Sequence, residues 1–272
     1  ITNALHIKSS QILEYKIAKK SIDARKGTIS FCYALDVKVA EEKKIISKVN
    51  NKNIMSTNVV KYIPAITGTQ DEKLSPIVVG SGPAGLFCTY LLAMYGYRPV
   101  MIERGEDVDS RTEAVEKFWK TGILDTHSNV QFGEGGAGTF SDGKLNTLVK
   151  DKYGRNRFVL ETFVKFGAPE DILYINKPHI GTDILRNVVK NMRIEIERLG
   201  GTVRFNTCLT DIQIKNNKVC SITVNESEKI ECDTLILALG HSSRDTFKKV
   251  YEKGLLLEPK NFSVGVRIEH LQ

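Results

Sequence analysis

The sequence predicts an α/β fold, a parallel sheet flanked by helices, with a small α+β module in front of it. Three observations predict this. Ile77–Val79, Pro99–Ile102 and Leu235–Ala238 are short apolar runs, as expected of strands buried on both faces. The segments after the first two read as helices, which parallel strands need as crossovers. Residues 29–39 alternate apolar and polar side chains, the cleanest such pattern in the chain and that of a half-buried antiparallel strand.

Composition sets the bounds. A chain of 272 residues with 41% hydrophobic and 26% charged residues is ordinary for a globular protein and long enough for a large domain plus a small one. No apolar run approaches the ~20 residues that span a bilayer, and no secretory pattern opens the chain. Cys32, Cys88, Cys208, Cys220 and Cys232 are scattered without a Cys-x-x-Cys pair. That argues against a metal site or a dithiol motif and suits the reduced thiols of a cytoplasmic protein. The net charge of +7 sits mainly in the first 73 residues, with 13 Lys or Arg against 7 Asp or Glu; 26 against 25 follow.

In the N-terminal module, Ala4–Ile7 reads as a strand and Ser9 or Ser10 as the cap of a helix through about Lys19. The alternating strand at 29–39 follows, with Ile29, Phe31, Tyr33, Leu35, Val37 and Val39 on one face. Glu41–Val49 reads as a helix and Val59–Ile63 as a further strand, an order that suggests a ferredoxin-like unit. The polar stretch Thr67–Ser75 reads as a linker.

The most informative stretch comes next. Ile77–Val79 runs into Gly80-Ser81-Gly82-Pro83-Ala84-Gly85, then a helix to about Tyr95, then a strand ending at Glu103. This is the dinucleotide-binding fingerprint in its strand–turn–helix–strand context. Gly80 permits the sharp turn, Gly82 leaves room for a pyrophosphate, and Gly85 lets helix and sheet approach. The helix N-terminus offers its N–H groups and positive dipole end to phosphates. Glu103 is placed to accept both hydroxyls of an adenosine ribose and to repel a 2′-phosphate, an exclusion that the neighbouring Arg104 weakens.

Beyond it, Asp107–Lys120, Arg157–Phe166 and Thr182–Leu199 read as helices, the last capped by Thr182, and Thr202–Phe205 as the third parallel strand. Leu209–Lys215, Lys218–Val224 and Lys229–Cys232 read as a meander turned by Asn216-Asn217 and by residues 225–228. Leu235–Ala238 closes the pattern and runs into Leu239-Gly240-His241. A meander in place of a crossover helix is unlike an ordinary NAD domain.

These features resemble the two-dinucleotide-binding-domain flavoproteins, with Ala238-Leu239-Gly240 similar to their second, Ala-Thr-Gly-type motif. Three runs narrow the resemblance: Ser21-Ile22-Asp23-Ala24-Arg25-Lys26, the block Gln131–Leu145, and Phe262–His270. Together they resemble the bacterial FAD-dependent dehydrogenases of unassigned substrate, NAD(P)/FAD-dependent oxidoreductases. The resemblance implies a Rossmann-like FAD-binding domain over 76–260, built as a parallel sheet with a β-meander crossover. Before it would lie the module at 1–66 and a linker at 67–75. A substrate domain would begin at 261–272, in a chain that reads as a fragment. It also implies FAD as cofactor, NAD(P)H as a candidate electron donor, and a small organic substrate. The closing Gly-Asp motif of such families is not found here.

The expected cofactor contacts are Gly80, Ser81, Gly82, Pro83, Ala84, Gly85, Glu103 and Arg104, then Gly133, Gly135, Gly136, Ala137, Gly138, Thr139 and Ser141, then Ala238, Leu239 and Gly240. Glycines at 133–138 let backbone N–H groups approach a flavin or a pyrophosphate, and Lys144 is a further polar candidate. His241 reads equally well as a functional or a solvent-facing side chain. His127, His179 and His270 lack metal-ligand spacing. The basic N-terminal residues are interleaved with acids and carry no RNA-binding signature, so a solvated surface is the better reading than nucleic-acid binding. The alternative is a nucleotide-binding or sensing protein whose basic module binds RNA or protein.

Overall fold

The computed structural model describes residues 1–25, 27–64, 73–140, 143–145, 147, 149–262, 264–266 and 268–270. Helix α1 (Thr2–Leu5) leads into strands β1 (Ile12–Asp23) and β2 (Ser30–Val39) and helix α2 (Glu42–Lys48). Strand β3 (Ile77–Val79), helix α3 (Pro83–Met94), strand β4 (Val100–Ile102) and helices α4 (Val108–Thr121), α5 (Arg155–Lys165) and α6 (Thr182–Arg198) follow. Strands β5 (Thr202–Arg204), β6 (Leu209–Lys215), β7 (Lys218–Val224), β8 (Glu228–Glu231) and β9 (Leu235–Leu237) precede helix α7 (Arg244–Glu252).

The parallel sheet has the order β5-β4-β3-β9, and β6-β7-β8 form a separate antiparallel meander. Successive residues of a strand face opposite ways, and each way finds its own core. Val78 and Met101 pack with Leu86 and Tyr90 of α3 and with Val188, Val189, Met192 and Ile196 of α6. Ile77, Val79 and Ile102 pack with Leu209, Ile212, Ile222 and Val224 of the meander and Val250 of α7. The result is three layers: helices, parallel sheet, meander. Covering on both faces is why β3 and β4 are almost wholly apolar. Burying one such Val or Ile stabilises the fold by roughly 1.5–3 kcal/mol.

The boundaries follow local chemistry. Gly96, at φ 81°, follows α3. Asp107 caps α4, accepting from the Asp109 N–H at 3.0 Å and the Ser110 N–H at 3.3 Å. Gly122, at φ 72°, ends that helix. Asn216 and Asn217, at φ 50° and 58°, turn β6 into β7 with the twist that a two-residue hairpin needs.

The N-terminal part departs from expectation. Residues 2–5 are helical, and Ile12–Asp23 is a strand where a helix through Lys19 was expected. The reason is non-local. β1 pairs antiparallel with β2 from Ile12↔Val39 to Asp23↔Ser30, setting Tyr15 opposite Val37 and Ile22 opposite Phe31. Such cross-strand pairs outweigh a local helix cap. The alternating face of β2 is not buried here; Phe31 and Tyr33 are 59% and 51% exposed. No strand forms at 59–63, where the Tyr62 ring instead meets Phe158 edge-on at 5.4 Å. The ferredoxin-like unit is therefore not formed by the described residues, which give a two-stranded ribbon and two short helices. The ribbon joins the body through Lys20, whose N–H donates to the Tyr174 carbonyl at 2.7 Å and whose carbonyl accepts from the Asn176 N–H at 2.9 Å. Gly181, not Thr182, occupies the cap position of α6. The described residues of Phe262–Ile268 form no strand. Most of the expected linker, residues 67–72, lies outside the described residues.

Burial opposes ionisation of Asp107, but hydrogen bonds from Ser110 and from the Asp109 N–H hold its carboxyl below the ordinary value of 3.8. Its contribution is thus complete above that value and lost as pH falls through the lower folded value. Asp107→Ala should destabilise the protein by about 1 kcal/mol near neutral pH. In urea titrations at decreasing pH, the gap to the parent should close in acid.

Candidate functional site

The chain leaves β3 for β4 on one side and returns to β9 on the other, so the strand order reverses at β3. Open parallel sheets bind ligands in the crevice beyond the strand ends at such a point. Two turns line it. The Gly80 N–H donates to the Ile102 carbonyl at 2.8 Å, and the Ala238 N–H to the Val79 carbonyl at 2.8 Å. Gly80 sits at φ 102°, and a Cβ there would run into the Ala238 carbonyl oxygen, so the two turns can touch only through glycine. Helix α3 starts at Pro83 with Gly82 as its cap residue and no side-chain cap. A helix start leaves N–H groups without intrahelical acceptors, and they face an anion-attracting end.

Glu103 stands at the end of β4, only 6% exposed. Its Oε2 accepts from the Ser81 N–H and the Ser81 hydroxyl, both at 2.8 Å. Its Oε1 accepts from the Gly105 and Gly133 N–H groups, both at 3.0 Å. One carboxylate therefore joins the first glycine turn, its own strand end and the second glycine-rich segment. Arg104 turns elsewhere: its Nη2 donates to Asp245 Oδ1 at 2.9 Å and Thr246 Oγ1 at 3.0 Å, and its guanidinium lies 4.5 Å from the Phe132 ring centre. Burial opposes ionisation of Asp245, yet the Arg104 hydrogen bond holds its carboxyl below the usual range.

The segment 129–136 is held from behind. Fully buried Glu134 accepts from the Val108 N–H and from Arg193 Nε, each at 2.8 Å. Burial pushes its carboxyl upward in pKa, against those two partners. Arg111 of α4, also fully buried, donates from Nε to the Asn129 carbonyl at 2.9 Å. Its Nη1 donates to the carbonyls of Gly133 at 3.2 Å, Glu134 at 2.7 Å and Gly136 at 2.9 Å.

These elements enclose a cleft of about 600 Å³. Of the expected contacts, Gly80, Gly82, Pro83, Ala84, Glu103, Arg104, Gly133, Gly136, Ala137, Gly138, Ala238, Leu239 and Gly240 line it. Ser81 and Thr139 are fully buried instead. Gly85 packs under the Gly80 carbonyl. Gly135 lies beside Val189 and borders a second cavity of about 180 Å³ with Lys144. Ser141 lies outside the described residues. His241 lines the main cleft, its Nε2 3.3 Å from Ser242 Oγ, which donates to Gln131 Oε1 at 3.0 Å. Among the described residues no group of three or more His, Cys, Asp or Glu could hold a metal ion, and no helix is long and apolar enough to cross a membrane. Sequence reasoning missed Arg111, Arg193 and the cleft residues Ser242 and Thr246, none of which carries a motif spacing. Gln131, Phe132 and Glu134 lay inside a quoted run without a role of their own.

A profile for a domain of unknown function matches residues 1–38. A protein of Clostridium beijerinckii described as uncharacterized is 49% identical over 273 residues, covering 100% of this chain and 51% of that protein. The thiamine thiazole synthase of Thermotoga maritima is 24% identical over 153 residues, 56% of this chain and 47% of the enzyme. This chain thus spans about half the length of these curated relatives. Among solved structures, THI4 of Thermovibrio ammonificans matches at TM-score 0.41 and 19% identity over 67% of this chain and 64% of that one. OTEMO, crystallised with FAD and NADP, matches at TM-score 0.37 and 18% identity over 63% of this chain and 26% of that one. Residues 75–255 match the profile described as pyridine nucleotide-disulphide oxidoreductase, and the chain belongs to that family.

Proposed function

We propose that this chain is the cofactor-binding part of an FAD-dependent oxidoreductase acting on a small organic substrate, with NAD(P)H as the candidate electron donor. The observation that carries the reading is the cleft at the reversal of strand order, walled by backbone and entered by an uncapped helix start. Its residues fit the group. A volume of about 600 Å³ falls within the ~300–1,000 Å³ of small-molecule and cofactor sites. Among the described residues, a Cβ built on Gly138 would meet no atom within 4 Å, and Gly138 lines the cleft.

In this reading the N–H groups at Gly82 and Ala84 serve the pyrophosphate, Gly85 lets α3 approach the Gly80 turn, and Glu103 serves the adenosine ribose. Of the four donors on Glu103, the Ser81 hydroxyl is the one that rotates freely, and it is the one a ribose hydroxyl replaces. Residues 133–138 face the flavin side, and Gly240 lies beside the cofactor. FAD supplies the hydride or electron transfer; the protein binds it, orients it and sets its electrostatic surroundings. Family membership and the fingerprint support FAD or NAD; the meander preceding β9 favours FAD. Five free cysteines fit a reducing compartment, and we place the protein in the cytosol.

Purified protein should release FAD on denaturation, identified by its visible spectrum and chromatographic mobility. Colourless protein that gains no flavin spectrum on incubation with FAD would overturn the reading, and released NAD would replace it. Gly138→Ala should weaken FAD binding about tenfold, because Gly138 lines the cleft and the added methyl narrows it. Equal FAD affinity in a titration would remove Gly138 from the site. Glu103→Gln puts an amide N–H₂ against two donors and should cost about 1–3 kcal/mol in urea unfolding, along with FAD binding.

A further inference from the structure

We infer that Arg111 makes the glycine-rich wall of the cleft attractive to phosphate, acting through the backbone rather than by contact. The inference rests on the dinucleotide reading of the cleft. Arg111 does not line the cleft; its stem lies directly behind Gly133, where an added Cβ would strike Cδ. Its four hydrogen bonds run to the carbonyls of Asn129, Gly133, Glu134 and Gly136. Gripping carbonyls has a consequence on their far side. No peptide bond in the described chain is cis, and across a trans peptide the N–H points opposite to the C=O. With the Gly136 carbonyl drawn to Arg111, the N–H of Ala137, a cleft residue, points away from the guanidinium. That peptide also lies against the start of α3: a Cβ on Gly136 would sit 3.0 Å from the Gly82 Cα. Two sources of positive potential therefore converge on one stretch of wall, the helix start and a peptide polarised by a buried cation.

The charge balance behind the wall points the same way. All four acceptors of Arg111 are carbonyls, Nη2 is buried without an acceptor and stacks with the guanidinium on Phe140, and no carboxylate is ion-paired with it among the described residues. The two carboxylates that bear on it electrostatically, Glu103 and Glu134, each have other donors. Arg186 adds a second cation against the same ring. Burial, opposed by Glu103 and Glu134 and helped by Arg186, brings the Arg111 pKa down to about 10, so the guanidinium is charged at neutral pH. A buried cation without a carboxylate of its own costs stability. An anion held on the other side of a single layer of backbone offsets that cost.

The test compares two ligands that share adenosine and differ in charge. ADP and adenosine are titrated calorimetrically into the full chain and into Arg111→Met and Arg111→Lys. A unit charge acting across the loop should weaken ADP binding by about tenfold in Arg111→Met, leave adenosine unchanged, and be largely restored in Arg111→Lys. Equal losses for both ligands, or none for either, overturn the inference and leave the FAD reading standing. A parent protein that binds neither ADP nor FAD overturns the FAD reading and the inference with it. Should Arg111→Met fail to fold, Arg111→Lys decides alone. A buried lysine loses its proton earlier than arginine, so the ADP-to-adenosine preference should fall between about pH 7 and about pH 9 in the variant and stay level in the parent; parallel profiles overturn the inference.

Discussion

Everything around the cleft depends on one carboxylate accepting four hydrogen bonds. Glu103 fixes the Gly80–Gly82 turn through Ser81, its own strand end through Gly105, and the second glycine segment through Gly133. A buried carboxylate is costly unless its lone pairs are used. Here all of them are, by groups that would otherwise be buried donors themselves. The two walls of the cleft are thereby held at one separation by a group that belongs to neither. The sheet supplies position, because β3 and β4 carry no side chain able to reach across.

The body was legible because its signals are local and agree with one another. The apolar runs of β3, β4 and β9, the asparagine turn at 216–217 and the glycine turn each dictate their own structure. All three strands of the meander fall within a residue or two of their expected bounds. The ribbon was misread because its cause lies elsewhere in the chain. Residues 12–23 follow the cap candidates Ser9 and Ser10 and have a mixed composition, and only pairing with residues 30–39 makes them a strand. The side chains behind the glycine segment were illegible for a related reason. Arg111 and Arg193 stand on helices at spacings that read as solvent-facing, and only the packing of α4 and α6 against 129–136 takes them out of water. Glycines announce where backbone approaches something; they do not announce what presses from behind.

The three layers divide the labour of the fold. The helical layer contributes the start of α3 and the supports from α4 and α6. The meander layer contributes no expected cofactor contact, yet its packing on Ile77, Val79 and Ile102 aligns the strand ends from which the cleft is built. At the far end, the Arg104–Asp245 pair ties β4 to α7, so that one end of the cleft is bounded by an element beyond the last strand.

The ribbon has a different standing. Outside its own pairing, the backbone hydrogen bonds that tie it to the body among the described residues are the two at Lys20, with the Tyr62 ring holding the segment that follows α2. Contacts this sparse separate two regions into distinct cooperative units, each opening with its own free energy. The apolar side chains of Tyr15, Phe31 and Tyr33 can therefore exchange neighbours without any strain reaching the Glu103 network. The exposed face of the ribbon and the lining of the cleft are therefore separate surfaces of one chain.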